Sequence, residues 1–494
     1  ALLSCRSSTT EDVDTALAAA EGARAVLRHK SGTDIAALLS RIADEIEALG
    51  DELITTGMRE SGLPEARLLG ERGRTCGQLR AFADLVEEGS WVEASIDTAL
   101  PDRTPLPKPD VRAMLAPLGP VAVFGASNFP FAFGTLGGDS ASALAGGNPI
   151  VVKGHPGHPA TCTLFAQAAS RALSACGFPA GTFSLLQGAS HELGGALVRH
   201  PLTQAVGFTG SEAGGRALMD IAAARQEPIP VFAEMGSINP VFLMPEAVAN
   251  RGDSIASDLA GSIAMGTGQF CTSPGLIVTA DAGFADKLSA ALAEQARGVL
   301  LNPGIASGLA RAITAREHDS AVEVLTGGGQ TDNALVPQNT LMRVSAEHFL
   351  ASPALLKEVF GPVSLLVQCD SVAQMQAIAE YMEGNLTATI HTDDADGPAV
   401  ATLLDTLATR TGRILFNGYP TGVEVCPSMQ HGGPYPASSA AATTSVGTPA
   451  ITRFTRRVAY QNCPSVLLPA ALQDANPLGI WRRLNGEQSR SQVN

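Results

Sequence analysis

Beyond residue 120 the chain alternates between two periodicities, and few architectures accommodate that. Short apolar runs stand at VAVF (121–124), PIVVK (149–153), FSLLQ (183–187) and AVGF (205–208). Helical stretches fall between and after them, roughly at 135–146, 159–176, 190–199 and 212–224. Strand–helix–strand alternation of this kind predicts a parallel sheet covered by helices, a doubly wound α/β unit. Such sheets take their ligands at the C-terminal ends of their strands, so the loops after Phe124, Lys153 and Phe208 become the ones to inspect.

A second α/β unit starts from about residue 234, with apolar runs at VFLM (241–244), LIVT (276–279), SLLVQC (364–369) and ATIH (388–391). Ahead of both units, residues 11–52 and 60–89 carry Leu, Ile and Ala at helical spacing, and a proline-rich connector, LPDRTPLPKPD, spans 100–110. Near the end, RFTRRVAYQNCP (453–464) alternates as a strand would, away from the main sheets. Terminal strands of this kind often pair with another subunit.

Composition narrows the partners. A 494-residue chain that is 45% hydrophobic and 16% charged has room for two or three domains and a large core. Its net charge of −15 argues against nucleic acid or an anionic membrane as the main partner, without excluding a local basic pocket for a phosphate. Cysteines at 5, 76, 162, 176, 271, 369, 426 and 463 form no CxxC pair, so neither a metal site nor a disulfide framework is expected. A reducing cytoplasm is the natural compartment. No apolar run reaches membrane-spanning length. The start, ALLSCRSSTTEDVD, lacks the basic and long apolar regions of a signal peptide, and with Ala rather than Met at position 1 the natural start is expected to lie upstream.

Several stretches bear chemistry. GQFCTSPG (268–275) sets Cys271 on a loop between a predicted helix, Asp253 to about Gly266 with Asp253 as N-cap, and the apolar run Leu276-Ile277-Val278. Leu259 and Ile263 share one face of that helix. Rigid elements would hold such a thiol while substrate could reach it, although a lone cysteine is more often a small buried apolar residue. In VAVFGASNFPFAFG (121–134), Asn128 stands where an amide can donate to an oxygen turning negative, or can simply cap a turn. Lys153 ends a strand where a ribose or phosphate could sit, or is an exposed turn residue. GFTGSEAGG (207–215) brings Gly210, Ser211 and Gly215 to a helix start suited to a pyrophosphate, but no G-x-G-x-x-G occurs. In FAEMGSINP (232–240), Glu234 closes a strand. A partly buried carboxylate there would have a raised pKa and could act as a base, whereas a surface glutamate would do neither. In EVFGP (358–362), Glu358 and Phe360 could hold a ribose and a ring, or form a plain turn.

Taken in order, F-x-x-x-N-F-P, F-T-G-S, E-x-G, G-Q-x-C and E-x-F-G-P resemble the aldehyde dehydrogenase superfamily from about residue 11 to 465. The resemblance implies an α/β subunit of three parts. Residues 1–110 would be helices on the cofactor-domain side, 111–120 an oligomerisation strand and 121–234 a Rossmann-like NADP-binding domain. Residues 235–430 would form the catalytic domain with Cys271, and 431–494 a C-terminal segment with an oligomerisation strand near 453–464. It implies a thiolate on Cys271 attacking an aldehyde carbon, an oxyanion held by Asn128 and the Cys271 N–H, and thioester hydrolysis by water that Glu234 activates. Lys153 and Glu358 would grip the cofactor riboses, Gly210, Ser211 and Gly215 the pyrophosphate, and Phe360 would pack near the nicotinamide. A homodimer or homotetramer is the family expectation.

The chain also departs from that pattern. Ser237-Ile238-Asn239-Pro240 replaces the usual G-K-[ST]-P, and Pro-Tyr-Pro-Ala-Ser-Ser follows Gly432-Gly433 in place of Lys-x-Ser-Gly. With GASNFP, KGHP and FNGYPTGVEV, these features resemble the branch of NADP-dependent fatty-aldehyde and α-ketoglutarate semialdehyde (2,5-dioxopentanoate) dehydrogenases. Where NAD-preferring relatives often carry a glutamate two residues after the lysine, His155 removes the repulsion of a 2′-phosphate and could donate to it, with His191 helping. NADP is therefore the expected cofactor, with NAD the alternative. The helix with Arg74, Gln78 and Leu79 resembles the one lining the family's substrate tunnel. Arg74 there could pair with a substrate carboxylate or be merely an exposed helix residue. A carboxylate partner favours α-ketoglutarate semialdehyde. Phe129, Phe131 and Phe133 could instead line an apolar tunnel for a medium- or long-chain aldehyde. A non-catalytic relative is the reading that Cys271, Glu234 and Asn128 together argue against.

Overall fold

The computed structural model describes residues 6–328 and 331–493. Its first sheet is all parallel, in the spatial order Phe183–Leu186, Ile150–Lys153, Val121–Phe124, Ala205–Thr209, Val231–Glu234. The chain enters at the central strand, runs to one edge, then returns past the centre to the other. The reversal leaves a crevice at the carboxyl ends of the strands that finish in Phe124 and Thr209, where a doubly wound sheet binds its ligand. The central strand is buried along its whole length, as a parallel strand sandwiched by helices must be. The helix Gly138–Ala145 is likewise buried throughout.

Four helices precede this sheet: Thr10–Leu27, Gly32–Glu47, Gly50–Ser61 and Glu65–Glu88. Capping boxes start the first two, pairing Thr9 with Asp12 and Ser31 with Asp34. Leu38, Ile42 and Phe82 from these helices share one core with Val121 and Ile150, so the helical region and the first sheet are a single packed body.

The second sheet has seven strands, in the order Glu323–Thr326, Thr340–Ser345, Val363–Gln368, Leu276–Thr279, Pro240–Leu243, Asn385–His391, Thr411–Phe416. All neighbours are parallel except the first pair. Four of the seven were apparent as apolar runs. The others mix Thr, Arg and Ser with apolar residues and lie at or near the sheet's edges, so they lack the continuous apolar signal.

The helix leading to Cys271 begins earlier than its sequence predicts. It spans Pro245–Ala264, with Pro245 in the first turn, where the fixed φ of proline suits a helix start. Asp253 is therefore interior and caps nothing. It forms an ion pair with Lys287 at 2.7 Å, and the backbone instead breaks at Arg251 (φ −134°, ψ 16°). Leu259 and Ile263 are fully buried, as their shared face requires.

A third sheet orders Thr455–Gln461, Val111–Pro117, Ser95–Asp97, Arg482–Leu484 and Glu487–Ser489. Thr455–Gln461 pairs antiparallel with Val111–Pro117 from Thr455↔Pro117 to Gln461↔Val111, and its other edge is open among the described residues. This sheet also draws in Ser95–Asp97 and residues 482–489, which carry no strand signal of their own. Among the described residues no helix is long and apolar enough to cross a membrane.

Candidate active site

Glu234 ends the last strand of the first sheet, and the segment after residue 430 zips onto that strand end. Met235 N–H donates to Ala437 O at 2.8 Å, Ser439 N–H donates to Ala233 O at 3.0 Å, and Glu234 bridges to Ser438. This docking carries His431 and Ser445 to the Glu234 carboxylate. His431 Nε2 lies 3.2 Å from Oε1, and the Ser445 hydroxyl donates to Oε2. The same His431 Nε2 lies 3.4 Å from Cys271 Sγ, so thiol, imidazole and carboxylate form a continuous chain.

The electrostatics of this chain correct one expectation. Glu234 is only 4% exposed, not partly buried, and its pKa is lowered, not raised. Burial alone would push it up, but the charge of His431, the hydrogen bonds of His431 and Ser445, and Arg453 nearby outweigh that cost. His431 is fully buried, which opposes its charge. Glu234 and Cys271 nonetheless raise its pKa to about 10. The imidazole is therefore held as a cation at neutral pH. Its Nδ1 has no hydrogen-bond partner among the described residues. Nothing in the sequence singled out His431 or Ser445. Their only trace is a titratable residue beside the Gly432-Gly433 turn.

The loop of Cys271 is aimed by backbone geometry. Gly266, Thr267 and Gly268 are consecutive left-handed residues, with φ of 57°, 60° and 63°. A side chain on Gly268 would strike the Gly361 carbonyl, so the G-Q-F-C and E-V-F-G-P segments abut here. Asn239, also left-handed (φ 46°), donates its amide to Cys271 O at 2.8 Å and to Ser273 O at 2.9 Å. The Ser-Ile-Asn-Pro departure thus supplies the clamp under the cysteine. Asn128 Nδ2 donates to Gln269 O at 3.0 Å, two residues before Cys271. That uses one amide hydrogen and leaves the second for a ligand.

At the cofactor crevice, Lys153 is half-buried, and burial lowers its pKa. His155 stacks on His158 (ring centroids 5.3 Å apart) and its Nδ1 accepts the Gly157 N–H at 3.0 Å. Burial first, then the charges of His158 and Lys153, depress its pKa to about 3. His155 is thus a neutral ring with its proton on Nε2, able to donate one hydrogen bond but no charge. His191 is exposed, at the first position of the helix His191–Arg199.

Ser211 caps the helix Glu212–Ala223, its hydroxyl accepting the Gly214 N–H. Gly210 N–H is taken by Glu234 O at 3.0 Å. Gly215 is buried, and a Cβ there would come 2.6 Å from Met235 Sδ, so this glycine serves helix–strand packing. A cleft of about 220 Å3 lies beside this helix start and is lined by Ser211, Gly236, Ile238, Glu358 and Pro436. Burial raises the Glu358 pKa to about 8, against a hydrogen bond from the Ser237 backbone. Phe360 is half-buried and lines an adjoining narrow cleft with Gly268, Phe270 and Ile238. A recess bounded by a helix start, a glycine cradle and a protonatable carboxyl fits a dinucleotide.

On the substrate side, the Arg74 guanidinium stands 5.2 Å from the Phe133 ring. Its Nε and Nη2 are buried without a hydrogen-bond partner among the described residues. Burial lowers its pKa, opposed first by Cys271, then by Glu71 and Glu234, so the guanidinium lies within electrostatic reach of all three. Phe129 contacts Phe133 and Phe270 edge-on, and the Arg67 guanidinium lies 4.4 Å from both Phe129 and Phe270. Two residues named with this group lie elsewhere. Phe131 is fully buried against Phe165, and Leu79 fills the helical core, so neither lines this wall.

A half-buried cysteine and a buried glutamate thus share one imidazole beside a recess that fits a dinucleotide. The chain belongs to the aldehyde dehydrogenase family, whose sequence model matches residues 1–456. It is 51% identical over 456 residues to alpha-ketoglutaric semialdehyde dehydrogenase 2 of Azospirillum brasilense, covering 92% of this chain and 87% of the relative. It is 46% identical over 483 residues to alpha-ketoglutaric semialdehyde dehydrogenase of Acinetobacter baylyi, covering 97% and 91%. Among solved structures, the fold matches the glyceraldehyde-3-phosphate dehydrogenase GapN of Methanocaldococcus jannaschii complexed with NADP. That match has a TM-score of 0.77 and 20% identity, covering 92% of this chain and 95% of that one. It also matches aldehyde dehydrogenase C of Pseudomonas syringae, complexed with NAD+ and octanal, with a TM-score of 0.77 and 21% identity over 93% and 90%.

Proposed function

We propose that this enzyme oxidises α-ketoglutarate semialdehyde to 2-oxoglutarate with NADP. The observation that carries it is the Cys271–His431–Glu234 chain, with two Arg74 nitrogens unpartnered among the described residues within electrostatic reach of it. Cys271 attacks the aldehyde carbon through its sulfur, with the His431 imidazolium, held by Glu234, 3.4 Å away as its counter-charge. The second Asn128 amide hydrogen and the Cys271 N–H receive the oxyanion. When bound in the crevice, a nicotinamide dinucleotide supplies the hydride acceptor. Lys153 and Glu358 would hold its riboses, Gly210 and Ser211 would border its pyrophosphate, and Phe360 would pack near its nicotinamide end. Glu234, ionised because its pKa is lowered, takes a proton from the water that cleaves the thioester.

Arg74 receives the carboxylate remote from the aldehyde, which would satisfy its Nε and Nη2 together. The names of the two relatives at 46–51% identity support this substrate. A fatty aldehyde is favoured by the aromatic wall of Phe129, Phe133 and Phe270, but two guanidinium groups stand against those rings. NADP preference rests on the absence of an acid at position 155 and on the neutral Nε2–H of His155. We also propose a homodimer or homotetramer in the cytoplasm, built through the open edge of Thr455–Gln461.

The test is reduced-cofactor formation with α-ketoglutarate semialdehyde, succinic semialdehyde and a long-chain aldehyde in parallel, each with NADP and NAD. The proposed substrate should lead in kcat/KM with NADP. Equal rates with all three would overturn the substrate, and a clear preference for NAD would overturn the cofactor.

A further inference from the structure

Three ligating atoms of different chemistry converge at the active site. Cys271 Sγ and His431 Nε2 are 3.4 Å apart, His431 Nε2 and Glu234 Oε1 are 3.2 Å apart, and all three lie within 4.8 Å of one another. Around tetrahedral zinc, with Zn–S of about 2.3 Å and Zn–N or Zn–O of about 2.0–2.1 Å, adjacent ligand atoms stand about 3.3–3.6 Å apart. The two separations through His431 therefore suit a single shared ion as well as a single shared proton.

We propose that Cys271, His431 and Glu234 form a reversible inhibitory site for a thiophilic divalent cation of the zinc class. The incoming ion displaces the Nε2 proton of His431 to solvent, after which the imidazole is a neutral donor and thiolate and carboxylate together balance the dication. A set of one sulfur, one nitrogen and one oxygen selects zinc-like ions over magnesium or calcium, which want oxygen alone. Glu234 and His431 are closed off from solvent, whereas Cys271 is half-buried, so the fourth position opens toward the substrate side. Coordination draws electron density from the sulfur and puts the ion in the path of the aldehyde, so the bound form is inactive. His431 Nδ1 lacks the acceptor that usually orients a zinc-bound imidazole, which makes the site weaker than a structural one and hence reversible. Sequence spacing did not reveal the trio because its members come from three distant segments, Cys271 and His431 being 160 residues apart. The proposal uses the assignment of Cys271 as nucleophile only for its inhibitory consequence, and metal binding itself is measured without aldehyde.

Metal-stripped full-length enzyme is titrated with Co2+ as a spectroscopic stand-in, and separately with Zn2+ during alkylation by iodoacetamide, with each modified cysteine identified by peptide mass. The expected result is a thiolate-to-cobalt charge-transfer band saturating at one ion per chain, and alkylation of Cys271 slowed more than tenfold by Zn2+. EDTA should restore that rate, and Mg2+ at the same concentration should leave it unchanged. His431→Asn should weaken Co2+ binding more than tenfold, while Cys426→Ser, at a half-buried cysteine outside the trio, should leave it unchanged. Absence of the band, unprotected Cys271, or a band lost in Cys426→Ser and kept in His431→Asn would overturn the site. The two wild-type readouts decide the matter even if a variant misfolds. If the preferred aldehyde is wrong, they are unaffected.

Discussion

Two histidines in this molecule have both lost water and ended at opposite ends of the pH scale. His155 follows a strand of the first sheet, and His431 docks against the end of another. Burial disfavours charge on either ring. His155 then meets only other cationic groups, His158 and Lys153, and its pKa falls to about 3. His431 meets the Glu234 carboxylate and the Cys271 sulfur, and its pKa climbs to about 10. Desolvation raises the stakes of an electrostatic interaction without choosing its sign, and the neighbour makes the choice. The crevice beside Lys153 consequently holds a neutral imidazole, and the end of the Glu234 strand a retained ion pair.

Removing the sulfur is the largest disturbance. Cys271→Ala should cut turnover on the order of 10⁴-fold or more, with an unchanged circular dichroism spectrum. Retained turnover would disconnect His431 from catalysis altogether. Glu234→Gln tests the choice of sign directly. Turnover should fall about 10²–10⁴-fold, a single-turnover burst should persist as thioester accumulates, and the His431 Cε1–H resonance should titrate well below pH 10. If the resonance does not move, Glu234 is not what holds the proton.

Arg74→Met should raise KM for the dicarboxylic semialdehyde about 10–100-fold while leaving an uncharged aldehyde nearly unaffected. An equal loss for both would make Arg74 a packing residue only. On the cofactor side the effects are smaller. His155→Glu should raise the KM for NADP about tenfold and spare NAD, whereas His155→Ala should change either only a few-fold, because the native ring carries no charge.

The pH dependence of stability gives the mildest test, with opposite signs for the two rings. His431, with its folded pKa raised, contributes stability that is complete below about pH 6.5 and disappears as pH rises through about 10. His155, with its folded pKa depressed, contributes stability that is complete above about pH 6.5 and is lost as pH falls toward about 3. Melting curves of His431→Asn and His155→Ala against the parent, at pH 5, 7 and 9.5, should therefore diverge from it in opposite directions.

What local sequence controls was legible. Strands such as Val121–Phe124 and Leu276–Thr279 have a continuous apolar signal because both faces are covered. Helix starts with a serine cap, such as Ser211 before Glu212–Ala223, follow from chemistry within four residues. Cys271, Glu234 and Asn128 were read together through the family pattern, and the fold does gather them around one loop. Longer returns of the chain were not legible. His431 and Ser445 reach Glu234 because residues 437–439 pair with the edge of a strand some 200 positions earlier, and no local signal encodes that pairing. The same holds for charge: the carboxylate of Glu234 could be placed at a strand end, but its pKa depends on a partner the sequence did not reveal. Phe131 was misread for a related reason. Alternate residues of NFPFAF looked equivalent, and the turn sends Phe129 and Phe133 toward the cysteine and Phe131 into the helical core.

The left-handed run before the thiol carries a lesson about fragility. Thr267 is a β-branched residue in a conformation that ordinarily costs about 1–3 kcal/mol, so its surroundings must hold it there. Part of that hold is bare backbone: a side chain on Gly298 would strike the Thr267 hydroxyl, and one on Gly268 would strike Gly361. The aim of the proposed nucleophile is therefore delegated to positions with no functional group of their own. A random mutagenesis screen for lost activity should recover Gly268, Gly298 and Gly361 alongside the catalytic residues, marking sites where the reaction fails through steering while every reacting atom is still present.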